Sequence, residues 1–95
     1  MKTAELFDYF LRSRKVTTDT RNISKDCIFF ALKGANFNGN TFAQQAIEQG
    51  ALLAIVDEAE YENTEQHIYL VEGALEALQD LARFYRIHLR IPVIK

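Results

Sequence analysis

Ninety-five residues, 48% hydrophobic, 25% charged and 12% aromatic, make one small globular domain that is long enough to bury a single core and too apolar for a disordered tail. Eleven basic residues against thirteen acidic ones leave a formal charge of −2, which excludes the broad positive field that attracts nucleic acid or an anionic membrane, so an anionic ligand must be held by local donors. The single Cys27 cannot close an internal disulfide, no secretory apolar segment opens the chain, and no run reaches the roughly 20 apolar residues of a membrane span; a reduced, cytoplasmic setting is expected.

Ala4, Leu6, Phe7, Tyr9, Phe10 and Leu11 recur at helical spacing behind Thr3, which reads as the N-cap, and Arg12 to Lys15 bring positive charge to the helix end. Residues 16–19 read as a short strand and 22–26 as a turn anchored by Ile23. Residues 27–33 are an apolar run of strand length between turn residues, hence a buried central strand that Gly34 ends. The loop Gly34-Ala35-Asn36-Phe37-Asn38-Gly39 holds residues that tolerate left-handed backbone, so its amides can turn toward a ligand. Thr41 to Gln44 matches a capping box, with Asn40 as the alternative cap, and Phe42, Ala46 and Ile47 supply the stripe of a helix over 40–49 that stops at Gly50. Residues 52–56 form a second buried strand. The strand, helix, strand order has the length of a right-handed crossover, which makes 27–33 and 52–56 parallel neighbours.

An acidic, polar connection over 59–66 leads to a third strand at 67–71. From Ala74 an amphipathic helix follows, with Leu75, Leu78, Leu81, Ala82, Tyr85 and Leu89 as its apolar face. Ile91-Pro92-Val93-Ile94-Lys95 begins like another buried strand, so 1–90 read as the domain and 91–95 as the start of a linker or the first strand of a following domain. The fold class expected is α/β, with a small mixed, mainly parallel sheet and flanking helices in two or three layers.

Chemistry-bearing residues are sparse. Cys27, His67 and His88 share no ligand spacing, and no carboxylates cluster with them, so no metal site is expected. Cys27 sits beside Ile28 and Phe29 without a paired base, and no catalytic residue is assigned. No Gly-x-x-x-x-Gly-Lys phosphate loop and no Gly-x-Gly-x-x-Gly fingerprint occurs. Two segments remain. Asp19-Thr20-Arg21 either presents a hydroxyl and a guanidinium to phosphate oxygens, or is a turn that Asp19 caps and Arg21 braces. The 33–40 loop is either a connector whose glycines permit a bend, or a nest of amides beside a helix N-terminus; its place at the carboxyl end of a central strand favours binding.

Thr18-Asp19-Thr20-Arg21, Phe29-Phe30-Ala31-Leu32-Lys33-Gly34, Phe37-Asn38-Gly39, Phe42, Ala46 and Gly50-Ala51 resemble, in order and spacing, the signature of the N-terminal domain of the Mur ligases. The likeness covers nearly the whole chain and is strongest to the branch that adds D-alanyl-D-alanine to UDP-N-acetylmuramoyl (UDP-MurNAc) tripeptide. The branch that adds the tripeptide's third residue is the near alternative, and a stand-alone protein-interaction module the separate one. The resemblance implies a domain that holds UDP-MurNAc-tripeptide and needs no cofactor of its own, with neither nucleic acid nor membrane as partner. ATP, magnesium and the D-alanyl-D-alanine acceptor would belong to further domains of an ATP-dependent ligase, and this portion alone would be inactive. It places Thr18 and Thr20 at the nucleotide, and Ala35, Asn36 and Phe37 on the loop that approaches uridine and diphosphate. Asp19, Arg21, Lys33, Gly34, Asn38 and Asn40 take supporting positions. Asn38 stands where the family carries Asp and keeps a turn-capping role. Asn40 stands where it carries His, so a titratable group is lost and N-capping is its expected role.

Overall fold

Apolar residues dominate the two strand segments at the centre of the chain, and the computed structural model, which describes residues 2–13, 15–34 and 37–89, builds its sheet around them. Helix α1 (Thr3–Ser13) leads into β1 (Val16–Thr17), followed by β2 (Ile28–Phe30), β3 (Lys33–Gly34), β4 (Phe37–Asn38), α2 (Ala43–Glu48), β5 (Leu53–Val56), β6 (Ile68–Leu70) and α3 (Ala74–Leu89). The main sheet has the order β1-β2-β5-β6 and is parallel throughout, in the register Val16↔Ile28, Ile28↔Leu53 and Ala54↔Ile68. β3 and β4 form a separate antiparallel ribbon, with Lys33 opposite Asn38 and Gly34 opposite Phe37. The expected parallel neighbours on either side of the α2 crossover are therefore present, in an α/β fold with flanking helices.

β2 and β5 are buried along their whole length because both faces of the sheet are covered, as parallel sheets require. Alternate residues go to opposite layers. Phe29, Ala54 and Val56 pack with Ala43 and Ala46 of α2, whereas Ile28, Phe30, Leu53 and Ile55 pack with Leu6 and Phe7 of α1 and Leu81 of α3. The result is three layers, with α2 on one face and the α1–α3 pair on the other. Phe7 and Phe84 join that pair, their ring centroids 4.7 Å apart.

Several boundaries differ from the sequence reading. Thr3 is the first helical residue of α1 rather than its cap. The Lys2 carbonyl accepts from the Leu6 amide, while the Lys2 amide donates to Glu5 Oε1 at 3.0 Å, half of a capping box one residue earlier than expected. The central strand stops at Phe30 rather than Lys33, because Lys33 and Gly34 turn away to pair locally with β4. The helix expected over 40–49 opens as a 3₁₀ turn, Gly39–Phe42, and becomes α-helical only at Ala43. Neither Thr41 nor Asn40 caps it: the Asn38 side chain accepts the Asn40 amide, and Gln44 Nε2 reaches Gln66 instead of closing a capping box. On α3 the inward face is Ala74, Ala77, Leu78, Leu81 and Phe84. Leu75 and Ala82, which the expected stripe included, point outward, while Tyr85 sets its ring edge-on against Phe10 of α1, the centroids 5.4 Å apart. Ala35, Asn36 and 91–95 lie outside the described residues, as do the side chains of Thr20, Phe37, His88 and Leu89. Among the described residues no helix is long and apolar enough to cross a membrane.

Candidate functional site

Because β1, β2, β5 and β6 all run the same way, the chain leaves Thr17, Phe30, Val56 and Leu70 at one edge of the sheet. Open α/β sheets place ligands outside this carboxyl edge, where loops from neighbouring strands converge. Both segments singled out from the sequence emerge there, one after β1 and the other after its neighbour β2.

After β1, Thr17 Oγ1 accepts the Asp19 amide at 3.1 Å and so turns the chain. Asp19 caps the 3₁₀ turn Thr20–Asn22 by accepting the Arg21 amide at 2.9 Å, and its carboxylate also takes Nε and Nη2 of the same arginine at 2.9–3.2 Å. These bonds from Arg21 hold the Asp19 carboxyl below its ordinary range and raise the guanidinium in return. Of the two readings of this tripeptide, bracing is the one the geometry displays for Asp19 and Arg21. It leaves Thr18 and Thr20 on a fixed turn at the sheet edge.

After β2, the polar groups converge on two successive carboxylates just beyond β5. Lys33 Nζ donates to Glu58 Oε2 at 2.9 Å and stands 3.7 Å from Asp57 Oδ1. From the opposite strand of the ribbon, Asn38 Nδ2 donates to Glu58 Oε1 at 3.0 Å. Asn38 Oδ1 accepts both the amide and Nδ2 of Asn40, at 3.0 and 2.9 Å. Asn40 is wholly buried: its Nδ2 also donates to Asp57 Oδ1 at 2.9 Å, and its Oδ1 accepts the Asp57 amide at 2.9 Å. Asp57 Oδ2 in turn accepts the Ala74 amide at 3.1 Å, satisfying one of the free donors that open α3.

The electrostatics follow from these bonds. Burial pushes the Asp57 carboxyl up, but hydrogen bonds from Asn40 and Ala74 and the Lys33 charge outweigh it, so the group ends below its ordinary range. Glu58 is lowered by the Asn38 and Lys33 hydrogen bonds, and Lys33 is raised by its bond to Glu58.

Lys33, Asn38 and Asn40 are thus brought together, and Asp57 and Glu58, which the sequence reading did not single out, complete the cluster. Among the described amides of this loop, that of Gly39 donates to the Leu32 carbonyl at 2.7 Å and that of Asn40 to the Asn38 side chain, so neither is open to a ligand. Gly34 and Phe37 are paired in the ribbon. Beyond Asp57 lies an open groove of about 750 Å³ whose charged lining is Lys2, Asp57, Glu72, Glu76 and Asp80. Four carboxylates against one ammonium make this groove unfavourable for an anion.

Fold and site together define a parallel α/β domain that collects its polar turns at the carboxyl edge of its sheet. Residues 13–86 match the family model described as Mur ligase family, catalytic domain. The chain belongs to the Mur ligase family. It is 39% identical over 71 residues to the UDP-N-acetylmuramoyl-tripeptide--D-alanyl-D-alanine ligase of Bacillus subtilis (strain 168), a match covering 74% of this chain and 16% of the relative. It is 31% identical over 74 residues to the UDP-N-acetylmuramoyl-L-alanyl-D-glutamate--2,6-diaminopimelate ligase of Rickettsia prowazekii, covering 78% of this chain and 15% of that one. Among solved structures, MurF ligase from Thermotoga maritima in complex with ADP superposes with a TM-score of 0.70 at 28% identity, over 80% of this chain and 17% of the ligase. The chain therefore spans about a sixth of the length of the relatives it matches.

Proposed function

We propose that the chain is the substrate-recognition domain of an ATP-dependent ligase that adds D-alanyl-D-alanine to UDP-MurNAc-tripeptide in cytoplasmic peptidoglycan precursor synthesis. The observation that carries this reading is the convergence of the 18–20 turn and the 33–38 ribbon at the carboxyl edge of two adjacent parallel strands. The branch of the family is supported by the identity to a D-alanyl-D-alanine-adding relative. The match to a diaminopimelate-adding relative supports the near alternative, in which the same domain serves the preceding ligation.

In this reading Thr18 and Thr20 offer hydroxyls to the nucleotide, and the ribbon carries Ala35, Asn36 and Phe37 against uridine and diphosphate. Asp19 and Arg21 fix the first turn, while Lys33, Gly34, Asn38 and Asn40 build the base of the ribbon. Residues 1–90 are the recognition domain and 91–95 lead into the next. The 95 residues contain no phosphate loop. ATP, magnesium and the acceptor dipeptide accordingly belong to the rest of the ligase, and the chain by itself turns over no ATP.

Thr20→Val tests the assignment, because it nearly preserves shape while removing the hydroxyl. A hydrogen bond to a charged group is worth roughly 1.5–3 kcal/mol, so calorimetry with UDP-MurNAc-tripeptide should show affinity lowered about 10- to 100-fold. Equal binding by the folded variant and the parent would reduce Thr20 to a turn residue.

A further inference from the structure

A ribbon with two residues in each strand is not stable by itself, so something outside it must set its position. Its base is gripped at two points by consecutive residues of one strand end. Glu58 takes a donor from each strand, Lys33 from β3 and Asn38 from β4, two residues that face each other in the register. One residue earlier, Asp57 and Asn40 exchange two bonds: the Asn40 carboxamide donates to the Asp57 carboxylate, and its oxygen accepts the Asp57 amide. This pairing fixes which way the carboxamide points, since rotating it by half a turn would place a donor against the Asp57 amide and an acceptor against the carboxylate. The same Asn40 Nδ2 also reaches Asn38 Oδ1, so the pair is joined directly to β4.

We propose that Asp57 and Asn40 are a positioning pair that sets the pose of the 33–38 ribbon, and through it the affinity for the uridine diphosphate portion of the substrate, without either residue touching ligand. The inference rests on the reading of the ribbon as part of the substrate site. Asn40 is fully enclosed, with its donors and its acceptor engaged by protein groups, so it has nothing to offer a ligand. Asp57 spends one carboxylate oxygen on Asn40 and the other on the first amide of α3. Its charge orients the machinery from behind rather than meeting a diphosphate, which it would repel.

The test is a charge swap read by calorimetry with UDP-MurNAc-tripeptide and by amide exchange of Asn38 and Gly39. Asn40→Asp sets two carboxylates against each other and removes the donor to Asn38; affinity should fall about 10-fold and exchange in the ribbon should quicken. The double variant Asn40→Asp/Asp57→Asn restores one donor facing one carboxylate across the same gap but not the donor to Asn38, so affinity should recover in part, to a value between those of Asn40→Asp and the parent. A pair important only for folding would lower the melting temperature of each variant while leaving the affinity of the folded protein at the parent's value. Should Asn40→Asp fail to fold, Asp57→Asn, the other half of the pair, replaces it. Losing the acceptor that Asn40 meets should weaken binding about 3-fold and quicken exchange at Asn38, both read below the variant's melting temperature. Folded variants that bind like the parent, or a swap with no recovery, would overturn the positioning role alone. A parent chain that binds no substrate would remove the reading of the site, and the positioning role with it.

Discussion

Replacing Gly39 by alanine probes the junction between ribbon and helix where the chain passes closest to itself. A Cβ at this position would lie 2.6 Å from the Leu32 carbonyl oxygen, 2.9 Å from the Leu32 nitrogen and 3.1 Å from the Ala31 carbonyl carbon. All three are backbone atoms of the segment that has just left β2, so no side-chain rotation relieves the contact. The junction has to shift, and the 2.7 Å bond from the Gly39 amide to the same Leu32 carbonyl stretches with it. Overpacking of this kind costs about 1–3 kcal/mol and a weakened backbone hydrogen bond about 0.5–1.5, against roughly 0.4–1 returned through the stiffer unfolded chain. A net loss of about 2 kcal/mol corresponds to a melting temperature lower by roughly 8–16 °C in a domain of this size. Thermal unfolding followed by far-ultraviolet circular dichroism measures it directly. A Gly39→Ala variant melting within about 2 °C of the parent would refute the close-approach argument.

Phe29, fully buried between the sheet and α2, should cost about 3–5 kcal/mol as Phe29→Ala, read from the urea midpoint; a loss below about 1 kcal/mol would mean that this layer repacks freely. The carboxyls of Asp57 and Glu58 are both lower in the folded state than their ordinary 3.8 and 4.5, so the stability they contribute is complete above those values and is lost as pH falls through the lower folded ones. Urea midpoints should therefore decline below about pH 4, and Asp57→Asn should be less stable than the parent near neutrality while declining less steeply in acid. An unchanged acid slope in that variant would contradict the paired state of Asp57.

The parallel sheet of the α/β fold was legible, though not whether it had two layers or three, because the residues of β2 and β5 carry it locally: Ile28 to Phe30 and Leu53 to Val56 are apolar on both faces, as a covered parallel sheet requires. Boundaries decided by competition were not legible. Leu32 continues the apolar run, yet the strand ends two residues earlier because Lys33 and Gly34 find partners in Phe37 and Asn38, a pairing that hydrophobic periodicity does not report. Thr41 and Gln44 match a capping box, but Asn38 reaches the Asn40 amide first. On α3, Leu75 and Ala82 occupy one helical stripe and Ala77 and Phe84 another; only the positions of the sheet and α1 decide between them.

The site divides in the same way. Asp19 and Arg21 are two residues apart, and their turn chemistry can be read from the local sequence. Asp57 meets Asn40 and Ala74, each 17 residues away and on opposite sides in the chain, so its role as the hub exists only once β5 lies beside β2 and α3 has docked. An available signal was its position immediately after a buried strand at the edge where ligands bind.

The central claim, that this domain recognises UDP-MurNAc-tripeptide at the carboxyl edge of its sheet, is tested most directly by a ¹H–¹⁵N NMR titration of the 95-residue chain with that compound. The account predicts saturable shifts concentrated at residues 18–20 and 33–40, with the outward face of α3 around Leu75 and Ala82 unmoved. The absence of shifts at millimolar ligand, or shifts confined to the acidic groove around Glu76 and Asp80, would contradict it.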